Sequence, residues 1–435
     1  MFQQPMILLA LLLAANFYSS NGGASVSLLQ AQGNSLCEFI ASSNIEPLRS
    51  ASRLVGWQCS YDTGYGGMLP YEDLQVSVCG NSVTSCNGTT AGLAGGCSDK
   101  NESSLRPWTG IKCDINYLIT TLDLNSRSLS GVITSQLGGL VALKKLDLSS
   151  NSLTGPISSA WISSLLELET LELQNNKLTS AVPSSIGGLT KLYALKLQYN
   201  SLTSSIPSEI GLITGLTSIE LNNNLFTGTF PAAIFHMPQV KEIYLQSNSL
   251  SNIPTLTQPA NELTHLNFAY NSVINNVVSS PTFFDNLPQM KEFNGAYNAL
   301  SGSLHSSWGN MLKLQIFQLN HNSITGPLPS SIGQLERLQE FYMNDNSLTG
   351  RIPNEIRDTT ALTHVMLSSN SLVGSIPQTF YNLTVLQELD INSNSLTGAI
   401  PNVFYKMDEL RVLKLFENSL TGYFPSSLGT LSYTT

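Results

Sequence analysis

From Ile119 onward the chain repeats one arrangement of apolar and polar positions, typified by Leu386 to Pro401, LQELDINSNSLTGAIP. Leu386, Leu389 and Ile391 follow the spacing of a half-buried strand; a polar Asn394 then takes an inward position and Leu396 resumes the apolar row. Aligned on the first apolar residue, the copies begin at Ile119, Leu143, Leu168, Leu192, Leu216, Val240, Leu263, Met290, Leu314, Leu338, Leu362, Leu386 and Leu410. Nine of the twelve steps are 24 residues long, a period that marks a stack of repeats. One copy cannot stand alone, because burying about five aliphatic side chains does not offset the entropy of ordering some 24 residues, so neighbouring copies must cover each other's flanks. The pattern predicts an α/β solenoid in which each copy contributes a short strand, a turn and a helical or 3-10 return.

An asparagine column runs through the copies: Asn151, Asn176, Asn200, Asn224, Asn248, Asn271, Asn298, Asn322, Asn346, Asn370, Asn394 and Asn418, with Arg127 in its place in the first. An amide offers two donors and an acceptor, so one side chain can serve backbone groups of its own turn and of the next coil. A structural role follows, not a catalytic one. Beyond the asparagine comes Leu348-Thr349-Gly350-Arg351-Ile352-Pro353, with counterparts around Gly374, Gly398 and Gly422; glycine permits a turn and proline ends the extended piece before a return such as Ser330 to Leu335.

The L-x-x-L-x-L-x-x-N-x-L row followed by L-T-G-x-I-P resembles the plant-type leucine-rich repeat family: ectodomains of receptor-like kinases and receptor-like proteins, and polygalacturonase-inhibiting proteins. The resemblance spans about three quarters of the chain and implies a curved, right-handed superhelix with a parallel sheet on its concave side and an N-terminal disulfide cap. It also implies a recognition role, with a co-receptor as a further partner. Trp108-Thr109-Gly110-Ile111-Lys112-Cys113 and an amphipathic stretch from Leu36 to Leu54 resemble the family's cap, which shields the first coil. The departure lies between Trp57 and Trp108, a Gly-, Ser- and Cys-rich insertion that leaves Cys97 eleven residues before Trp108. It reads as a disulfide-stapled loop or a binding loop.

Residues Met6 to Ala15 are unbroken apolar and too short to span a bilayer, so residues 1–24 read as a signal peptide cleaved after Ala24. Residues 25–118 then form the cysteine-containing cap with its insertion, and 119–435 about thirteen repeats, the last incomplete. No later stretch is continuously apolar enough for a membrane span. Cys37, Cys59, Cys79, Cys86, Cys97 and Cys113 all precede the repeats, and an even count behind a leader indicates disulfides, with 15 pairings open. No pair has C-x-x-C spacing and the nearest histidine is His236, which argues against a metal site. Sequons at Asn87, Asn101 and Asn382 agree with a secreted or cell-surface, cell-wall location.

The rhythm breaks in the middle. The copy at Val240 ends in Ile253-Pro254 without its glycine, the step from Leu263 to Met290 is 27 residues, and Gly295 stands where a core leucine is expected. That glycine predicts a cavity unless Phe268 or Phe293 fills it. Beside this break, the residues left free by the repeat are aromatic. The column before the asparagine contains Tyr199, Tyr270, Tyr297 and His321, and the column between the strand apolars contains Tyr244 and Tyr342. Read as exposed strand positions, they predict a ligand-binding face, because tyrosine combines apolar area with a polar tip that suits protein interfaces and sugars alike.

Charge narrows the partners. A net charge of −9 and pI near 5.1 disfavour nucleic acid and anionic membranes, which require basic surfaces. Asp123, Asp147, Glu172 and Glu220 share one column, favouring a basic protein or cationic peptide or serving only as a solubilising face. Motifs of metalloproteases, serine hydrolases, phosphate-binding loops and kinases are absent from the sequence; the chain reads as a non-enzyme needing no cofactor. The expected function is an extracellular recognition module that binds a protein or peptide, with a glycan as a further candidate, on the concave face in receptor-like signalling or defence. The alternatives are an inhibitor of a secreted wall-degrading hydrolase and a structural cell-wall or adhesion scaffold.

Overall fold

The computed structural model describes residues 111–113 and 119–425, which belong to two compact units divided between Leu202 and Thr203. The expected signal peptide, the cap helix, the first five cysteines, and the sequons at Asn87 and Asn101 lie outside the described residues.

In the first unit, Ile119–Asp123, Lys145–Asp147, Thr170–Glu172 and Ala194–Lys196 form a parallel sheet in which Leu122, Leu146, Leu171 and Leu195 stand in register. These four leucines are buried, as the alternation of apolar positions requires. Ahead of them Ile111–Cys113 runs antiparallel to Ile119–Asp123, so the sheet expected to be parallel throughout opens on a reversed strand. Only five residues separate Cys113 from Ile119, too few for the crossover of a dozen residues or so that a parallel neighbour needs. A second, separate ladder joins Ser130–Val132, Ser152–Pro156 and Lys177–Ser180.

The second unit has the same construction. Ser218–Glu220, Glu242–Tyr244, His265–Asn267, Glu292–Asn294, Ile316–Gln318, Glu340–Tyr342, His364–Met366, Glu388–Asp390 and Val412–Lys414 lie parallel and in register. Most coils return through a five-residue 3-10 turn such as Ser330–Gln334 or Asn354–Asp358, entered from an extended proline. Proline fixes φ and ends the preceding extended piece, leaving room for a single tight turn. The long step after Leu263 is taken up by a 3-10 turn at Val277–Ser279 and an α-helical turn at Pro281–Asp285. Its amides tie into the preceding coil, Asn275 donating to the Ile253 carbonyl at 2.6 Å and Asn286 to the Leu256 carbonyl at 2.9 Å.

Stacking is held by the asparagine column. Asn394 donates from Nδ2 to the Leu367 carbonyl of the preceding coil at 2.9 Å and to Ile391 in its own at 3.3 Å, while its Oδ1 accepts from the Leu372 amide at 2.9 Å. In the first copy, where Arg127 replaces asparagine, Asn151 Oδ1 accepts from the Arg127 and Leu129 amides at 3.0 and 2.9 Å. Gly350, Gly374, Gly398 and Gly422 adopt φ of 73° to 87°, the left-handed conformation that glycine reaches without steric cost.

No void opens at Gly295. A Cβ there would lie 2.5 Å from Phe268 Cζ, so the Phe268 ring already occupies the leucine's volume. Phe293 contributes differently: it is the core strand residue of the copy and packs edge-on to Phe268 at 5.6 Å. Around them Phe283, Phe284, Phe317 and Trp308 extend a fully buried aromatic cluster, larger than the two rings expected from the sequence.

Candidate ligand-binding face

The residue before each ladder asparagine, expected on the strand, sits instead in the turn that follows it. From Ser126 to Glu417 all thirteen adopt φ between 52° and 59°. Left-handed backbone suits the Ser, Asn, Asp and His found in most copies; for a bulky L-residue it costs about 1–2 kcal/mol. Tyr199 in the first unit, and Tyr270 and Tyr297 in the second, occupy this position.

In the second unit these turns bring three rings together. Tyr270 stacks on Tyr297 with centroids 4.2 Å apart and planes at 11°, and Tyr297 stacks on His321 at 4.1 Å. His321 Nε2 then lies 3.4 Å from the Asp345 carboxylate, the next residue in the column. Tyr270 and Tyr297 remain 55% and 39% exposed. Because the stacked faces cover each other, the column offers ring edges and hydroxyls to a partner, with an acid at one end.

Tyr244 and Tyr342 do lie on strands, half-buried, each beside a glutamate two residues earlier on the same side of the sheet. Burial, reinforced by the neighbouring carboxylates, raises both phenols to about 12; Glu242, Glu292 and Glu220 act on Tyr244, and Glu340 and Glu388 on Tyr342. Tyr297 is also raised, first by burial and then by its hydrogen bond to Tyr270. Their column thus flanks the stack without joining it. One column over, strand pairing sets His265 between Glu242 and Glu292, and His364 between Glu340 and Glu388. The register that aligns these histidines with glutamates is contained in the repeat itself.

The acidic column of the first unit is less available than its letters suggest. Lys145 Nζ bridges Asp123 at 2.9 Å and Asp147 at 3.6 Å, and Lys196 approaches Glu172 at 4.0 Å. The hydrogen bond that Lys145 donates to the Asp123 carboxylate raises the lysine pKa against the opposing effect of burial. Lys145 shares its strand with Asp147 and lies one copy beyond Asp123, and Lys196 lies one copy beyond Glu172, so much of the charge expected to attract a basic partner is answered internally. Among the described residues no group of three His, Cys, Asp or Glu could hold a metal ion, and no helix is long and apolar enough to cross a membrane.

These coils, with their parallel strands and asparagine column, define a solenoid of stacked repeats. Residues 118–178, 214–273 and 360–420, together with 313–335 and 337–358, match the leucine rich repeat family. These segments cover more than half of the chain, which belongs to that family, and its repeats are of the plant type. Over 82 residues it is 38% identical to the LRR receptor-like serine/threonine-protein kinase GSO2 of Arabidopsis thaliana, a match covering 19% of this chain and 6% of that protein. Over 81 residues it is 37% identical to phytosulfokine receptor 1 of Arabidopsis thaliana, covering 18% and 8%. The matched segments therefore span less than a tenth of either receptor. Among solved structures, the PEPR1–AtPEP1 complex aligns with a TM-score of 0.58 at 26% identity, covering 75% of this chain and 53% of the other. The plant peptide hormone receptor RGFR1 in complex with RGF2 aligns at 0.50 and 26%, covering 75% and 67%. A leucine-rich repeat protein of Leptospira interrogans aligns at 0.55 and 28%, covering 69% and 79%.

Proposed function

We propose that the protein is an extracellular recognition module of receptor-like or defence type, and that the sheet face of its second unit binds an extended peptide or protein segment. Tyr270, Tyr297 and His321 form the centre of the site, with Tyr244 and Tyr342 on the adjoining column. The observation that carries this reading is the backbone beneath the stack: two exposed tyrosines hold left-handed turns that smaller polar residues occupy in most other copies, and strain of this kind collects at binding sites. The likeness to RGFR1 bound to RGF2 and to the PEPR1–AtPEP1 complex supports a peptide as ligand. A leader at residues 1–24, a disulfide-stapled cap and glycans at Asn87, Asn101 and Asn382 complete the reading. Asn382 ends the 3-10 return Gln378–Asn382, so its glycan leaves the sheet face open.

The test is the double variant Tyr270→Ala, Tyr297→Ala, measured against ligands captured from an extracellular fraction on the unaltered chain. Affinity should fall at least about tenfold, or about 1.4 kcal/mol, while the melting temperature stays nearly constant. Unchanged affinity for every captured ligand would remove the site.

A further inference from the structure

Tyr270 and Tyr297 are 27 residues apart in the chain and meet only because the coils stack. Their backbones share the same left-handed conformation, φ 54° and 53°. Main-chain bonds from the Tyr270 amide to the Ala296 carbonyl at 3.0 Å and from the Asn271 amide to the Tyr297 carbonyl at 3.2 Å fix the two anchor points. Above these anchors the rings lie parallel at 4.2 Å, and both side chains are open to a diffusing reagent. A phenol that loses an electron and a proton becomes a radical whose unpaired spin sits on oxygen and on the ring carbons beside it, the Cε atoms. Two such radicals held side by side react with each other before either meets a second molecule, because a bimolecular step has become unimolecular.

We propose that Tyr270 and Tyr297 form a site of oxidative cross-linking, at which a peroxidase-class oxidant using hydrogen peroxide joins them through a Cε–Cε bond into an intramolecular dityrosine. Each phenol gives up one electron and its hydroxyl proton; the two odd electrons form the new carbon–carbon bond. The hydrogen on each bonded Cε then moves as a proton to its own oxygen, restoring both phenols. The pair loses two hydrogen atoms overall, and one hydrogen peroxide is reduced to two waters. Coupling requires the more exposed Tyr270 ring to pivot from parallel to edge-to-edge against Tyr297, which also stacks on His321. The product staples two successive coils at the centre of the aromatic face, and the proposal holds whatever that face binds.

The chain supplies its own comparison. Tyr381 and Tyr405 are also one repeat apart and 42% and 52% exposed, but their rings share the Lys406 ammonium, at 5.0 and 5.8 Å. The purified chain is treated with a haem peroxidase and limiting hydrogen peroxide, then followed by dityrosine fluorescence, intact mass and peptide mapping. The expected product is a monomer lighter by two hydrogens, carrying one bridge between Tyr270 and Tyr297. Tyr270→Phe and Tyr297→Phe, which keep the ring and lose the phenol, should each abolish it. Absence of any coupling, a bridge confined to covalent dimers, a bridge at Tyr381–Tyr405 in place of Tyr270–Tyr297, or an intramolecular product surviving in Tyr270→Phe would overturn the assignment.

Discussion

Replacing Asn346 by alanine measures what one rung of the asparagine column contributes. Asn346 Nδ2 donates to the carbonyls of Leu319, Met343 and Asn344 at 2.9, 3.2 and 3.3 Å, and Oδ1 accepts from the Ile324 amide at 2.9 Å. The three carbonyls retain other partners: Asn322 Nδ2 on Leu319, Asn370 Nδ2 on Met343, and the His321 amide on Asn344. Only the Ile324 N–H loses its side-chain partner outright, at a residue whose own side chain is fully buried. An unsatisfied buried donor costs about 1–3 kcal/mol and the weakened carbonyls add to it, so the variant should lose about 2–4 kcal/mol. Denaturant unfolding gives the total. Because coils couple mainly to their neighbours, hydrogen exchange at Ile324 gives the local part, and its protection should fall at least about tenfold for each 1.4 kcal/mol lost. Asn346→Asp should cost more at neutral pH, since a carboxylate brings no donor and faces three carbonyl oxygens. A loss below about 0.5 kcal/mol, with Ile324 protection unchanged, would refute the view that the column holds the stack.

Gly295→Leu restores the repeat's usual residue and should nevertheless destabilise by about 1–3 kcal/mol, as overpacked cores do, because the new side chain meets Phe268 at 2.5 Å and Leu319 at 3.0 Å. Adding Phe268→Leu should return most of the loss, and a gain in melting temperature from Gly295→Leu alone would show that the site is not full. Alkali should unfold the second unit through Tyr244 and Tyr342. Their folded pKa values, raised from 10.0 to about 12, mean that folding favours the neutral phenol; this contribution is complete below pH 10 and is lost as pH rises towards 12. Urea midpoints between those limits should fall less steeply in Tyr244→Phe than in the unaltered chain, and identical slopes would contradict the assignment.

Much of the molecule was legible in the sequence because its repeat is local chemistry written thirteen times. The spacing of Leu386, Leu389, Ile391 and Leu396 requires an alternating strand whose apolar side is buried, Asn394 can satisfy the turn that follows, and Gly398 with Pro401 closes it. None of these inferences depends on knowing which coil lies beside which. Alignment also placed Tyr270, Tyr297 and His321 in one column, so the membership of the candidate site could be read before its geometry.

What the alignment could not contain was decided by coils lying against each other. A column is a statement about backbone positions, whereas stacking at 4.2 Å is a statement about side-chain directions, set here by left-handed turns that the letters Tyr-Asn do not announce. The same limit hid the reversed strand Ile111–Cys113, the lysines that answer Asp123, Asp147 and Glu172, and the phenyl ring of Phe268 in the space left by Gly295. By itself the sequence determined that this chain is a stack of leucine-rich coils and which positions the stack leaves free. Only the tertiary structure decided how those free side chains meet, because residues 24 to 27 apart become neighbours through packing and register, which no single copy specifies.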